Sequence, residues 1–268
     1  MKTLLPIVSA AIASLCLTPG ARAQDASPVT GNVAVVSDYV FRGITQSWAH
    51  PAIQGGADYV HPSGFAAGTW ASSVSDRSYP GGSMEWDVYA SFGHSLGEDW
   101  SWRAGIYAYL YPGADLREAG LRSRSFDTAE ANAALTWRNV TLKYNRSLTD
   151  YFAADREQGY TGDTRGTTYL QLDAIFPLDA AWSLALHAGR THYPAGLAMS
   201  LANGARDASY SDYAATLKYQ FDPHWSVSAV VTHATDGAFY RHVSSFVDAD
   251  DTRDVGGTRG LVMVQATF

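Results

Sequence analysis

The chain of 268 residues carries eight histidines, 26 carboxylates and 19 basic residues, and chemistry would need some of them side by side. A metal site requires ligands at fixed spacing, such as two histidines on one strand face or an HExxH turn. No histidine pair has that spacing, and His187 and His192 differ in parity. A nucleophilic hydrolase requires a serine beside a histidine with a third group orienting the imidazole. His233 falls on the outward parity near the outer end of its segment, yet no adjacent serine has a comparable placement. His61 and His224 sit in tight turns and His242 in a long connection, where solvation accounts for them. His187, opposite Trp182, Leu184 and Leu186, reads as an interior histidine that lines or fills a pore. Asp248, Asp250, Asp251 and Asp254 cluster in one connection, but without the glycine placement and closing glutamate of a calcium loop they read as a hydrated acidic loop. No catalytic residue, metal ligand or cofactor is therefore expected, and no nucleotide motif couples the chain to an energy source.

The elements that position these groups show a rhythm. Segments of about ten alternating apolar and polar residues are joined by links that are long, then short, then long again. They end near Tyr39, Val60, Val74, His94, Tyr111, Trp137, Leu148, Phe176, Thr191, Gln220, Ala234 and Phe268. The links His61-Pro62-Ser63-Gly64, Arg138-Asn139, Pro177-Leu178-Asp179-Ala180 and Asp222-Pro223-His224 are tight. The long links, including 111–126, 149–165, 192–211 and 236–258, are rich in Gly, Asp, Arg and Ser. Short turns on one rim and long loops on the other predict an all-β fold: a closed antiparallel transmembrane β-barrel of about 12 strands, with periplasmic turns and extracellular loops.

Met1-Lys2-Thr3, an apolar run over residues 4–17 and Ala21-Arg22-Ala23 read as a signal peptide spanning 1–23, leaving a single barrel domain over 24–268. That run is too short, and too broken by Pro6 and Pro19, to span a membrane as a helix, so insertion must use strands. The single cysteine, Cys16, lies inside the signal. Ser14-Leu15 before it fits a lipidation site poorly, so it reads as part of the apolar core of the signal. The mature chain then has no thiol for a disulfide or a metal. Removing Lys2 and Arg22 from the 19 basic residues, against 26 acidic ones, leaves a mature net charge of −9. With no basic cluster to neutralise phosphates, a nucleic-acid partner is not expected.

Alternation separates two faces strand by strand. Over 100–110, Trp100, Trp102, Ala104, Ile106, Ala108 and Leu110 share one parity, with Ser101, Arg103, Gly105, Tyr107 and Tyr109 on the other. Over 168–176 the outward set is Leu170, Leu172, Ala174 and Phe176, and the inward set Tyr169, Gln171 and Asp173. Glu130, Asn132 and Thr136 oppose Ala129, Ala131, Ala133 and Leu135, while Thr141, Lys143 and Asn145 oppose Val140, Leu142 and Tyr144. Asp212 and Lys218 share a face opposite Tyr213, Ala215, Leu217 and Tyr219. A soluble sandwich also alternates, but its buried parity favours aliphatics, whereas here the polar parity carries charge on strand after strand. Three Trp-Ser pairs, at Trp100, Trp182 and Trp225, each begin a strand beside a tight turn and would form one ring of an aromatic girdle. The closing strand ends on Phe268, which looks like the C-terminal signal read by the barrel-assembly machinery.

The segment Ser37-Asp38-Tyr39-Val40-Phe41-Arg42-Gly43, followed by Gln46-Ser47, resembles the hallmark of the TorF-type porins, a family of bacterial outer-membrane proteins formerly grouped as conserved hypotheticals. The resemblance implies an outer-membrane barrel and supplies no catalytic set. Only Asp38, Tyr39, Phe41, Arg42 and Gly43 match as motif positions. On physical grounds Asp38 and Arg42 lie on one parity at the outer end of the first strand. Both are expected to point into the mouth and bond to charges on neighbouring strands or on a folded-in loop; a purely structural ion pair is the equal alternative. Candidate lining residues are Asp38, Arg42, Asp58, Glu85, Asp87, Arg103, Glu130, Lys143, Asp173, His187 and Lys218. The acidic excess predicts mild cation preference. The expected function is passive diffusion of small hydrophilic solutes or ions through a narrow lumen, with outer-membrane lipids around it. The oligomeric state is left open. Three other readings stay beside it: a barrel enzyme acting on lipids, a plugged structural or adhesive barrel binding through its loops, and a soluble periplasmic sandwich.

Overall fold

A computed structural model describes residues 27–198, 207–235 and 237–268; the expected signal peptide, 1–23, lies outside the described residues. Twelve strands close into one antiparallel barrel: β1 Val29–Val36, β2 Ala52–Val60, β3 Phe65–Ser73, β4 Met84–Leu96, β5 Trp100–Leu110, β6 Thr128–Trp137, β7 Val140–Ser147, β8 Thr168–Pro177, β9 Trp182–His192, β10 Tyr210–Gln220, β11 Trp225–Ala234 and β12 Gly257–Thr267. Each pairs with its neighbours in sequence. The ring is shut by β1 against β12, in register from Asn32 opposite Thr267 to Val36 opposite Met263. Closure leaves no unpaired edge, the condition for a sheet to cross hydrocarbon. The glycines of β2 and β3 do not interrupt the ladders.

The period-two pattern sorts the two faces. Outward side chains such as Ile53 (66% exposed), Ile106 (60%) and Val231 (58%) are apolar and exposed, a surface that belongs against lipid. Charge on the strands points inward with two exceptions among the described residues, Arg146 and Arg190, both exposed near the long-loop rim. The short turns lie on the opposite rim. One of them corrects the sequence reading: β4 runs on to Leu96 and a three-residue turn, 97–99, leads straight into Trp100, whereas a strand ending near His94 had been expected. Trp100, Trp182 and Trp225 each open a strand on this rim and face outward, 39–45% exposed. Phe268, 68% exposed, exchanges two backbone hydrogen bonds with Gly31 of β1 (3.0 and 2.9 Å).

A second correction concerns the motif. The first strand ends at Val36, not Tyr39, so Asp38 and Arg42 do not share a strand parity. The backbone leaves the wall there, because residues 37–51 build their own two-stranded hairpin, Val40–Phe41 with Ile44–Thr45. The core lies at the long-loop mouth. Tyr79, Tyr109, Tyr111, Leu116 and Phe126 pack into one buried cluster, and Phe41 of the hairpin and Phe152 of the 148–167 loop lean against it.

Candidate functional site

Arg42 and Gly43 form the two-residue tip of the hairpin, with φ of 49° and 77°. Positive φ at both central positions is the I′ turn that lets strands twist tightly back on themselves. An arginine tolerates this left-handed conformation only at some cost. Gly43 has no alternative: a Cβ there would lie 2.8 Å from the Asp212 Cβ and 2.9 Å from the Ala234 Cβ. The tip is thus pressed against β10 and β11 on the far side of the lumen from β5 and β6.

Arg42 is what holds it. Its guanidinium donates to both oxygens of Glu130 on β6 (Nη1 to Oε1 2.9 Å, Nη2 to Oε2 2.8 Å) and to the Tyr151 hydroxyl (2.8 Å). It also stacks over the Tyr169 ring, 4.1 Å from the centroid. Arg42 is 5% exposed and Glu130 1%. A bidentate pair is the geometry that best compensates burying both charges. The Tyr109 hydroxyl adds a hydrogen bond to Glu130 (3.3 Å).

The rest of the motif reaches other walls. Asp38 accepts from Thr45 Oγ1 (2.5 Å) inside the hairpin and from Arg259 of β12 (3.3 Å). Tyr39 packs edge-on against Trp70 of β3, centroids 5.4 Å apart, and Phe41 against Tyr109 of β5 at 5.6 Å. Five of the six positions from Asp38 to Gly43 therefore brace the hairpin between strands all round the barrel. Asp38 and Arg42 do not touch each other; each finds its partner on a strand.

Below the hairpin lies a polar chain. His187 faces Asp173 through Nδ1 (2.6 Å) and Asp212 through Nε2 (2.9 Å). Tyr169, whose ring carries Arg42, donates to Asp212 (3.0 Å), and Gln171 donates to Asp173 (2.7 Å). Of the other predicted residues, Asp58 accepts from the Tyr89 hydroxyl (2.8 Å), Arg103 donates to Ser91 (2.9 Å), and Lys143 lies 5.1 Å over the Tyr107 ring. Glu85 and Asp87 are buried at 1% and 3%, and both Glu85 oxygens lack a hydrogen-bond partner from the described residues. Arg103, Lys143 and Lys218, nearer the short-turn rim, are only half-buried. The lumen is thus filled at the mouth and looser toward the turns. Beside the hairpin lies a cavity of about 30 Å³, lined by Asp38, Tyr39, Gln54, Thr232 and Met263, with room for roughly two waters.

Sequence reasoning missed Asp212, Tyr169, Tyr151 and Arg259 as partners. Parity had put Asp212 on the lumen face, a signal that could have placed it in the set. Nothing local marks Tyr151, which sits in a loop. In the acidic loop, Asp251 accepts from Arg77 Nε (2.6 Å) and from the Trp48 indole (3.3 Å), tying three loops together. That hydrogen bond from Arg77 holds the Asp251 carboxyl below the usual carboxylate range. His233 Nδ1 meets Thr258 Oγ1 at 2.9 Å on the outward face, with no carboxylate bonded to the ring among the described residues to complete a hydrolytic relay.

Two solved barrels resemble this one in fold. The KdgM porin in complex with disordered oligogalacturonate superposes with a TM-score of 0.52 at 8% identity, covering 90% of this chain and 98% of that one. The NanC porin superposes with a TM-score of 0.52 at 11% identity, again covering 90% and 98%. No curated protein sequence matches. The sequence relationship comes from a family model that matches residues 21–268, through the closing strand and including the bracing motif: the chain belongs to the family described as "Bacterial protein of unknown function (Gcw_chp)".

Proposed function

We propose that this protein is an outer-membrane channel through which small hydrophilic solutes or ions diffuse passively, with its outer mouth narrowed by the hairpin of residues 37–51. The observation that carries this reading is the inward hairpin itself, wedged by Arg42 and Glu130 across a lumen lined with charge, inside a barrel whose exterior is apolar. A structural barrel has no need to line its interior with Asp58, Glu85, Asp87, Asp173, Arg103 and Lys218, and a filled mouth above a looser lower half is the shape of a constriction. Residues 1–23 are proposed as the cleaved signal, 24–268 as the mature barrel, and Phe268 as the group read by the barrel-assembly machinery. The TorF-type resemblance rests on the Ser37 to Gly43 motif and supports the same reading.

The solute class follows from charge. KdgM was solved with an oligogalacturonate, a chain of acidic sugars. Here the inward carboxylates Asp38, Asp58, Glu85, Asp87, Glu130, Asp173 and Asp212 outnumber Arg42, Arg103, Lys143, Lys218 and Arg259, which disfavours polyanions and favours cations mildly. The deciding experiment is planar-bilayer recording of the refolded mature chain in a salt gradient. Discrete conductance with a cation-selective reversal potential is expected. Anion selectivity refutes the charge argument, and absence of conductance from the wild type and from hairpin variants refutes the channel. The filled mouth also fits a plugged barrel that binds through its loops, the outcome that a silent bilayer combined with loop-dependent partner binding would favour.

A further inference from the structure

The two exceptions to the inward rule for charge stand together. Arg146 on β7 and Arg190 on β9 flank β8, and the ladder puts them in adjacent outward rows: Arg146, Thr168 and His192 in the upper row, Tyr144, Leu170 and Arg190 in the next. Below them the row is Leu142, Leu172 and Ala188. With strands about 4.8 Å apart and a rise of about 3.4 Å per residue, the two arginine Cα atoms are roughly 12 Å apart, a gap that two long side chains can close onto one anion. Both are exposed, and neither has an ion-pair partner among the described residues; Arg190 makes only a long hydrogen bond to Ser211 (3.4 Å). The Arg146 guanidinium lies against Gly166, next to exposed Arg165. Asp207 acts electrostatically on Arg190 and His192, and its carboxylate is already bonded to the Ser209 amide (2.8 Å). Elsewhere on the same rim the described outward strand positions carry no formal charge: apolar Ile53, Met84 and Trp86 stand beside polar Ser73, His233 and Thr258.

We infer that this sector, Arg146 and Arg190 above the leucines of β7 and β8, is a binding site for the phosphate headgroup of an anionic lipid in the leaflet on the long-loop side. Depth supports it. Arg190 sits one row above the apolar belt, level with Tyr144, and Arg146 one row higher, where a headgroup phosphate meets the first acyl carbons. A lone snorkelling arginine needs only water. Two on alternate strands within reach of one anion, over a strip of Leu142, Leu170 and Leu172 for an acyl chain, fit a phosphate with a tail.

The inference rests on the membrane placement, and its test separates the two. The refolded mature chain is titrated with phosphatidylglycerol or phosphatidylcholine in detergent and bound lipid is counted by native mass spectrometry. Wild type should prefer phosphatidylglycerol, and each arginine replaced by glutamine should cost about fivefold in that preference, the Arg146→Gln/Arg190→Gln pair about thirtyfold. Arg146→Lys/Arg190→Lys, which keeps the charge, should retain most of it, and heat-modifiable gel migration reports that every variant is folded. Equal binding of the two lipids by wild type, unchanged preference in the glutamine pair, or displacement of lipid by low millimolar inorganic phosphate would each overturn the site. Failure of the chain to partition into vesicles at all would instead refute the membrane placement.

Discussion

Replacing Arg42 by alanine tests whether the hairpin is held in the mouth by one ion pair. In the wild type the guanidinium satisfies both Glu130 oxygens and the Tyr151 hydroxyl, all buried. Removing it strands the Glu130 carboxylate at 1% exposure, and an uncompensated buried charge of this kind costs about 3–5 kcal/mol. The barrel ladders do not depend on Arg42, so the strain is relieved locally: the hairpin withdraws and water reaches Glu130. At about 1.4 kcal/mol per tenfold, the inserted population falls by roughly two to three and a half orders of magnitude relative to the withdrawn one. Single-channel recordings of Arg42→Ala should show a larger or flickering conductance, and amide exchange over 37–51 should speed up while β-strand protection holds. The double variant Arg42→Ala/Glu130→Ala is the sharper arm. With no charge left stranded, most of the closed behaviour should return, because truncating both partners costs less than truncating one. If Arg42→Ala keeps wild-type conductance and wild-type exchange over 37–51, the ion pair does not hold the hairpin and the reasoning fails.

Gly43→Val combines a β-branched side chain with a φ of 77° and a Cβ within 3 Å of Asp212 and Ala234; it should displace the same hairpin, seen as faster exchange over 37–51 without loss of the folded barrel band on gels. For Asp251 the sign is set by its lowered carboxyl pKa, caused first by the Arg77 hydrogen bond. The clamp between loops 37–51, 74–83 and 235–256 is then fully present above the unfolded value of about 3.9 and lost as pH falls through the lower folded one. Conductance should therefore rise on acidification below about pH 4, and Asp251→Asn should lose the step attributable to that clamp. Leu172→Arg places a charge at mid-height on the lipid face and should cost about 2–4 kcal/mol in urea unfolding from vesicles, whereas arginine is native at the rim positions 146 and 190.

The wall of this barrel was readable because its signal is local. Parity is written every second residue, so Trp100 to Leu110 or Thr168 to Phe176 could be sorted into two faces without knowing what they pack against. Where the pattern weakened, at Gly55, Gly56 and Gly68, the ladder still ran without a bulge, because neighbouring strands carry register across a weak segment. The turn at 97–99 was overlooked for the opposite reason. Ser95 and Leu96 continue a strand whose outward side chains have thinned to His94 and Leu96, and polarity there imitates a loop.

The mouth was not readable, and distance along the chain explains why. Arg42 meets Glu130 across 88 residues and Tyr151 across 109, and Asp38 meets Arg259 across 221; no window of sequence contains both members of any pair. The seven residues of the motif look like a strand end because they alternate as Val40, Phe41 and Arg42 would in a wall. What breaks that reading is Gly43, which permits the I′ turn, together with Asp38, whose carboxylate ties the hairpin to Thr45 and gives it a structure independent of the ladder. A segment that carries its own turn and its own internal hydrogen bonds can leave the wall without stranding backbone donors. Once it does, the charge at its tip must find a buried counter-charge or be expelled. Glu130 faces the lumen on β6 at the height where the tip arrives, so the same alternation that makes the wall legible also supplies the socket for the one element that leaves it.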